Sequence, residues 1–290
     1  MAPDVPMRYG SLHHRSQSAP QTRAPAIDAS QSSLKRSFDD DDMSPDQSDT
    51  SRQPLRLKAM RPGAVADAIA RDPRLIIPVG TCEQHGPHLP LGCDTIIVEY
   101  LADDLSAEFG LLRAPTVEYG VNAEVERIVP GNATLRRKTL LRALNDLTDA
   151  WEAGGIREFI FLTAQGHDGH QEALATVVTK DARVRVVDIL SIELSDLMVS
   201  DCGPMHGDEV DTSLLLYLAP HLVLMELAHD YMITNRNAQR YGRGSLRIPS
   251  SSPGNVGCPT RASAATGATI YARIRARIRE RILLTPSPST

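Results

Sequence analysis

Three short runs of aliphatic and β-branched residues constrain this chain more than any other feature. They are RLIIPVG (74–80), REFIFLTAQG (157–166) and VRVVDIL (184–190). Each is nearly continuous in apolar character, as expected of a strand covered on both faces. Segments of helical length separate them. RPGAVADAIARDP spaces its apolar residues helically and stops before Pro73, and DTIIVEYLADDLSAEFG reads as a helix capped by Asp94. LLRAPTVEYG (111–120) reads as a strand and turn, and 135–154 as a long amphipathic helix. HQEALATVVTKDA, DEVDTSLLLYLAP and the stretch from Thr260 to Leu283 complete the helices. Strands alternating with helices of ten or more residues indicate βαβ units. The expected fold is one three-layer α/β/α domain with a mostly parallel central sheet, over 55–284.

Residues 1–54 lack this pattern. They are rich in Ser, Gln, Pro and Asp and bury too little to offset chain entropy, so they read as a disordered tail. Within it LKRSFDDDD could serve as a phosphorylated or partner-binding segment. Residues 285–290 read as a disordered C-terminus.

Charge and composition exclude several classes. The net charge is −5 with no basic block, which argues against nucleic acid as a partner. Aromatic residues are 4%, too few for base-stacking platforms. No apolar run approaches the ~20 residues of a membrane span, and the first residues lack a secretory core. The four cysteines, 82, 93, 202 and 258, form no CxxC pair. They read as reduced thiols of a cytoplasmic protein. Neither a Walker loop nor a GxGxxG follows a strand, so no nucleotide cofactor is implied.

Ligands of doubly wound folds bind beyond the carboxyl ends of the strands, and three polar clusters fall there. PVGTCEQHGPHLPLGCDT (78–95) holds Glu83, His85, His88 and Asp94. TAQGHDGH (163–170) holds His167, Asp168 and His170. MHGDEVDTS (205–213) opens a helix and holds His206, Asp208, Glu209 and Asp211. Singly, each has an ordinary structural explanation as a cap, a first-turn acid or a hydrogen-bonded imidazole. Together, five histidines placed after strands or at a helix start suggest a metal site assembled from separate loops. Cys82 next to Glu83 should point the opposite way along an extended chain. Arg243, Arg247 and Arg261 could meet an anionic substrate, with surface charge the simpler reading. The glycine- and serine-rich stretch 241–257 reads as a mobile loop over the site.

The clusters resemble the creatininase family of metal-dependent amidohydrolases. The first carries that family's signature as Pro78-Val79-Gly80, Glu83-Gln84-His85-Gly86, His88-Leu89-Pro90 and Asp94-Thr95. The second and third are similar to its Asn-Gly-His-Gly-Gly-Asn and His-Ala-Gly-Glu-x-Glu-Thr-Ser motifs, with fainter echoes at Pro130-Gly131 and Gly257-Cys258-Pro259. The resemblance implies two divalent metal ions per chain, zinc first and manganese or iron as alternatives. It implies Glu83, His85, Asp94 and His167 as ligands, Asp94 bridging. Glu209 is taken as the last carboxylate because Gly169 stands where creatininase has a Glu. His206 falls on a proton-transfer position, and Asp211, one methylene shorter than the usual Glu, joins it as a catalytic residue. The implied reaction is hydrolysis of a cyclic or other non-peptide C–N amide, or a formamide, by a metal-activated water. A small-molecule amide would be the substrate and a homo-oligomer, often a hexamer, the assembly. Asp168, His170, Asn132 and Val125-Glu126-Arg127 depart from the family pattern. They leave open a degenerate, metal-stabilised binding module, or a peptide-processing hydrolase. Asp168 or His170 could also act as extra ligands.

Overall fold

The structure is a computed structural model, which describes residues 53–123, 129–200, 205–232, 239–240, 246–247, 251–280 and 284. The tail, 125–127, Cys202, Arg243 and 281–283 lie outside them. A five-stranded sheet has the order β1-β3-β2-β4-β5, and every neighbouring pair is parallel. The strands are β1 (Leu55–Arg56), β2 (Arg74–Pro78), β3 (Leu112–Arg113), β4 (Glu158–Thr163) and β5 (Arg183–Asp188). A separate hairpin pairs β6 (Gln239–Arg240) with β7 (Leu246–Arg247).

Alternation along the strands sorts the core into two layers. Leu75, Ile77, Phe159 and Phe161 face α1 (Pro62–Arg71), α3 (Arg137–Ala153) and α4 (Asp168–Ala175). Ile76, Ile160 and Leu162 face α2 (Cys93–Phe109), α5 (Glu209–Leu218) and α6 (Ala264–Ile278). The expected three-layer α/β/α architecture is present. From β2 the chain passes through α2 to β3 on one side. From β4 it passes through α4 to β5 on the other. The connections therefore diverge between β2 and β4, and the loops there open a crevice at the switch point.

Several boundaries differ from the sequence reading. Asp94 is not the cap of α2: Gly92 holds that position and Asp94 lies in the first turn. Pro115 confines β3 to two residues, continued only by a bridge between Val79 and Val117. α4 begins at Asp168 and stops before the β-branched run that starts at Thr176. α6 begins at Ala264 because Pro259–Arg261 is a 3-10 turn and Ser263 caps the helix, its hydroxyl accepting from the Thr266 N–H at 3.0 Å. Cys258 is disulfide-bonded, which overturns the reading of four reduced thiols. Cys82 and Cys93 are free. Spacing could not reveal such a link, because none of the four cysteines is close to another in sequence except 82 and 93.

Candidate metal centre

The loop after β2 carries the first cluster into the crevice. His85 donates Nδ1–H to the Glu83 carbonyl at 3.0 Å, which turns Nε2 toward Asp94 Oδ1, 3.2 Å away. The other Asp94 oxygen accepts from the Thr81 hydroxyl at 2.6 Å. Both side chains are buried. Burial works against charge on His85, but the adjacent Asp94 carboxylate outweighs it and pushes the imidazole pKa up to about 10. In the same way burial opposes ionisation of Asp94, yet His85 holds its pKa below the usual carboxylate range. A buried imidazole and carboxylate sharing one proton form a donor pair that a divalent cation can take over by displacing it.

The second cluster follows β4. Gln165 donates its side-chain amide to Glu83 and accepts from the His167 N–H at 2.9 Å. It thereby ties the first loop to the second. His167 is half-buried and its Nδ1 has no partner. His170 is committed to the scaffold: Nδ1 accepts from the Val121 N–H at 3.2 Å and Nε2 hydrogen-bonds the Thr163 hydroxyl at 3.0 Å. Burial pushes its pKa down to about 4. With both nitrogens engaged it has no lone pair to offer an ion. Asp168 is exposed in the first turn of α4.

The third cluster is the start of α5. Asp208 caps the helix, its Oδ1 accepting from the Val210 N–H at 2.8 Å and its Oδ2 from the Met205 N–H at 2.7 Å. Burial, with Asp211 alongside, raises its pKa to about 7. Glu209, read from the sequence as the last ligand, is turned away. Its oxygens accept from the Val199 N–H at 2.6 Å and the Ser200 N–H at 2.9 Å. Asp211 is the carboxylate brought to the crevice. One oxygen accepts from the Gly207 N–H at 2.8 Å, and the other, Oδ1, is buried with no partner. Gly207 sits at φ 56°, and a side chain there would run into the His85 backbone. Its absence lets the first and third clusters meet.

His206 stacks on His85 with ring centroids 4.4 Å apart. Its Nε2 lies 2.7 Å from the Gln84 carbonyl, which requires Nε2–H and leaves Nδ1 as the basic atom. Burial, with His85 beside it, lowers its pKa to about 3. His88 joins the first and third clusters differently, through Nε2 and the Thr212 hydroxyl at 2.9 Å. A cavity of about 210 Å³ is lined by His85, Asp94, His206 and Asp211, by Gln165 and Gly166, and by Asp188, Leu190, Ser191 and Met205.

Three residues here were not singled out from the sequence. Gln165 opens the second motif, and that position was its only signal. Cys93, adjacent to Asp94, brings its thiol into a group whose ligand atoms, with those of His85 and Asp94, lie within 4.8 Å of one another. Burial pushes that thiol well up, so it is protonated in the metal-free site. Asp188 ends β5 and was read only as part of a strand. Cys82 points away, donating to the Gly131 carbonyl at 3.3 Å. The stretch 251–257 is pinned rather than draped over the site. Val256 pairs with His206, Gly257 pairs with Tyr231, and the Gly254 carbonyl accepts from the Gln84 amide at 2.6 Å.

The family model Creatininase (creatinine amidohydrolase) matches residues 58–282. The chain is 31% identical over 221 residues to the mycofactocin precursor peptide peptidase of Mycolicibacterium smegmatis, covering 70% of this chain and 81% of that protein. It is 28% identical over 169 residues to the 3-dehydro-scyllo-inosose hydrolase of Thermotoga maritima, covering 54% and 53%. A creatinine amidohydrolase crystal structure superposes with TM-score 0.67 at 21% identity, covering 82% of this chain and 99% of that one. Solved creatininases of the same fold include a zinc–zinc form and a manganese form. The chain belongs to the creatininase family.

Proposed function

We propose that this protein is a metal-dependent hydrolase of an amide C–N bond in a small substrate, and that His85, Asp94, Glu83, His167 and Asp211 hold two divalent ions. The observation that carries the reading is the Asp211 carboxylate. Its Oδ1 is buried without a partner in a cavity that it shares with the His85–Asp94 pair. An unpaired buried carboxylate oxygen costs on the order of 1–3 kcal/mol or more, and a cation there removes that cost. The unpartnered Nδ1 of His167 and the oxygen-and-imidazole donor set fit zinc, manganese or iron.

Bound divalent ions would polarise an amide carbonyl and lower the pKa of a water at the site. The chain's own residues do the rest. Thr81 fixes one Asp94 oxygen and leaves the other toward His85. Gln165 holds Glu83 in place. The Gln84 carbonyl holds His206 in the Nε2–H tautomer, and Nδ1 is then the atom that takes a proton and returns it to the departing nitrogen. Gln84 is itself held by Gly254.

Elemental analysis of protein purified without chelator tests the reading. About two equivalents of zinc, manganese or iron per chain are expected, with Asp211→Asn retaining one or fewer and losing activity on an amide and formamide panel. Wild-type protein that stays metal-free after incubation with each ion would end it.

A further inference from the structure

We infer that Asp188 selects amide substrates bearing a primary ammonium beside the scissile bond. The inference rests on the proposed hydrolase site and names its substrate class.

The cavity lining mixes two kinds of residue. His85, Asp94, Asp211 and His206 bring the imidazoles and carboxylates of the candidate metal centre. Asp188, Leu190, Ser191 and Met205 line it as well, outside that set. No Lys or Arg lines it among the described residues, so no side chain there pairs with a carboxylate or phosphate. Asp188 ends β5, and its side chain accepts from the Leu190 N–H at 3.0 Å as the cap of the 189–191 turn. The Ser191 backbone N–H also acts on that carboxylate. No ion pair to Asp188 is formed among the described residues, although it is half-buried. Burial, together with Asp94, pushes its pKa up, the condition that a bound cation relieves. Two divalent ions carry four positive charges, which the Glu83, Asp94 and Asp211 carboxylates and one hydroxide from the attacking water would balance. Asp188 lies outside that set and its charge remains for the substrate.

Size narrows the class further. At about 210 Å³ the cavity is smaller than the ~300–1,000 Å³ of ordinary drug-sized sites. Leu190 and Met205 add a short apolar surface beside the acid. Small aliphatic amides with a neighbouring ammonium fit both features.

The test compares leucinamide with 4-methylpentanamide, which has the same skeleton without the amine. Turnover by the zinc-loaded full-length chain is measured for both. Binding of the non-hydrolysable pair leucinol and 4-methylpentanol is measured by calorimetry. Asp188→Asn and Asp188→Ser both keep a capping oxygen, and circular dichroism with thermal melting checks that they fold. A charged hydrogen bond to a partly buried acid implies about tenfold or more in KM and in Kd. The expected result is that preference for leucinamide over the neutral amide, shown in KM rather than kcat, and its loss in both variants with the neutral amide unaffected. The amine could also reach the metal directly, and retention of the preference in both folded variants would overturn the inference. So would equal KM and Kd for charged and neutral members in the wild type, even with amide hydrolysis intact. Leucinol selectivity that depends on Asp188 without turnover of any amide would instead count against the hydrolase reading and leave the inference standing.

Discussion

Glu209 and Asp211 are two residues apart at the start of one helix, so they project about 200° apart and only one can face the crevice. Their exchange therefore separates support from chemistry. Glu209→Gln should leave the metal content unchanged but destabilise the fold by about 1–3 kcal/mol, because two charge-assisted bonds to the 199–200 backbone are weakened. Asp211→Asn should do the reverse, with metal lost and the urea midpoint of the metal-free protein unchanged or raised. Equal metal loss in both variants, by elemental analysis, would contradict this division. The imidazoles set a pH dependence. Burial lowers His170 to about 4, His88 to about 4 and His206 to about 3. A buried histidine with a lowered pKa binds fewer protons folded than unfolded, so its contribution is present above ~6.5 and lost as pH falls toward 4. His85 has the opposite sign in chelator-treated protein: its contribution is full below ~6.5 and is lost as pH rises through 10. Scanning calorimetry of metal-free protein should show the melting temperature falling on both sides of neutrality. In His170→Gln the acid-side fall should be shallower.

Between elements, α5 packs closely against α6. A side chain at Gly267 would collide with the Ser213 carbonyl, and the helices also meet where the Ser263 N–H donates to the Ser213 hydroxyl at 3.1 Å. Gly267→Ala should push α6 outward and cost about 1–3 kcal/mol, read from the urea midpoint. The longer elements were readable from sequence for a physical reason. β2 and β4 carry the apolar runs Leu75–Ile77 and Phe159–Leu162, β5 carries three valines, and α1 and α3 have sharp ends at Pro73 and Gly154. Elements shaped by single contacts were not. The two-residue β1 depends on pairing with β3 and on the Leu55 N–H to Ser106 hydroxyl bond at 2.8 Å. The site divides in the same way. The order and spacing of its three clusters were legible, because each follows a strand or opens a helix. Which acid faces the crevice, and that Asp188 joins it from β5, depends on helix phase and loop direction, which composition does not encode.

For the whole molecule, β1 marks where the N-terminal segment meets the sheet. Arg56 pairs with Asp103 at 2.7 Å and Leu55 lies beside Leu112. Residues 1–52 are rich in Ser, Gln, Pro and Asp and poor in core-forming residues, so a chain without them should match the full one in melting temperature and metal content. Deleting 1–60 uncovers the edge of β3 and should lower the melting temperature. Removing metal should matter more than either. At a free concentration about a thousandfold above Kd, a bound ion adds about 4 kcal/mol to folding, and dialysis against chelator should remove that increment in a calorimetric scan.

The strap from Gly254 to Gly257 has a consequence in time. Gln84 is held by Gly254, 170 positions later in the chain, and His206 by Val256. A ribosome adding about 5–20 residues each second exposes the first cluster many seconds before these partners exist. A nascent chain therefore carries the proposed ligand side chains before the strap that holds Gln84 and His206. On the proposed function, competence to cut an amide would arrive only after residue 257 has been made, and synthesis itself would delay the onset of hydrolysis.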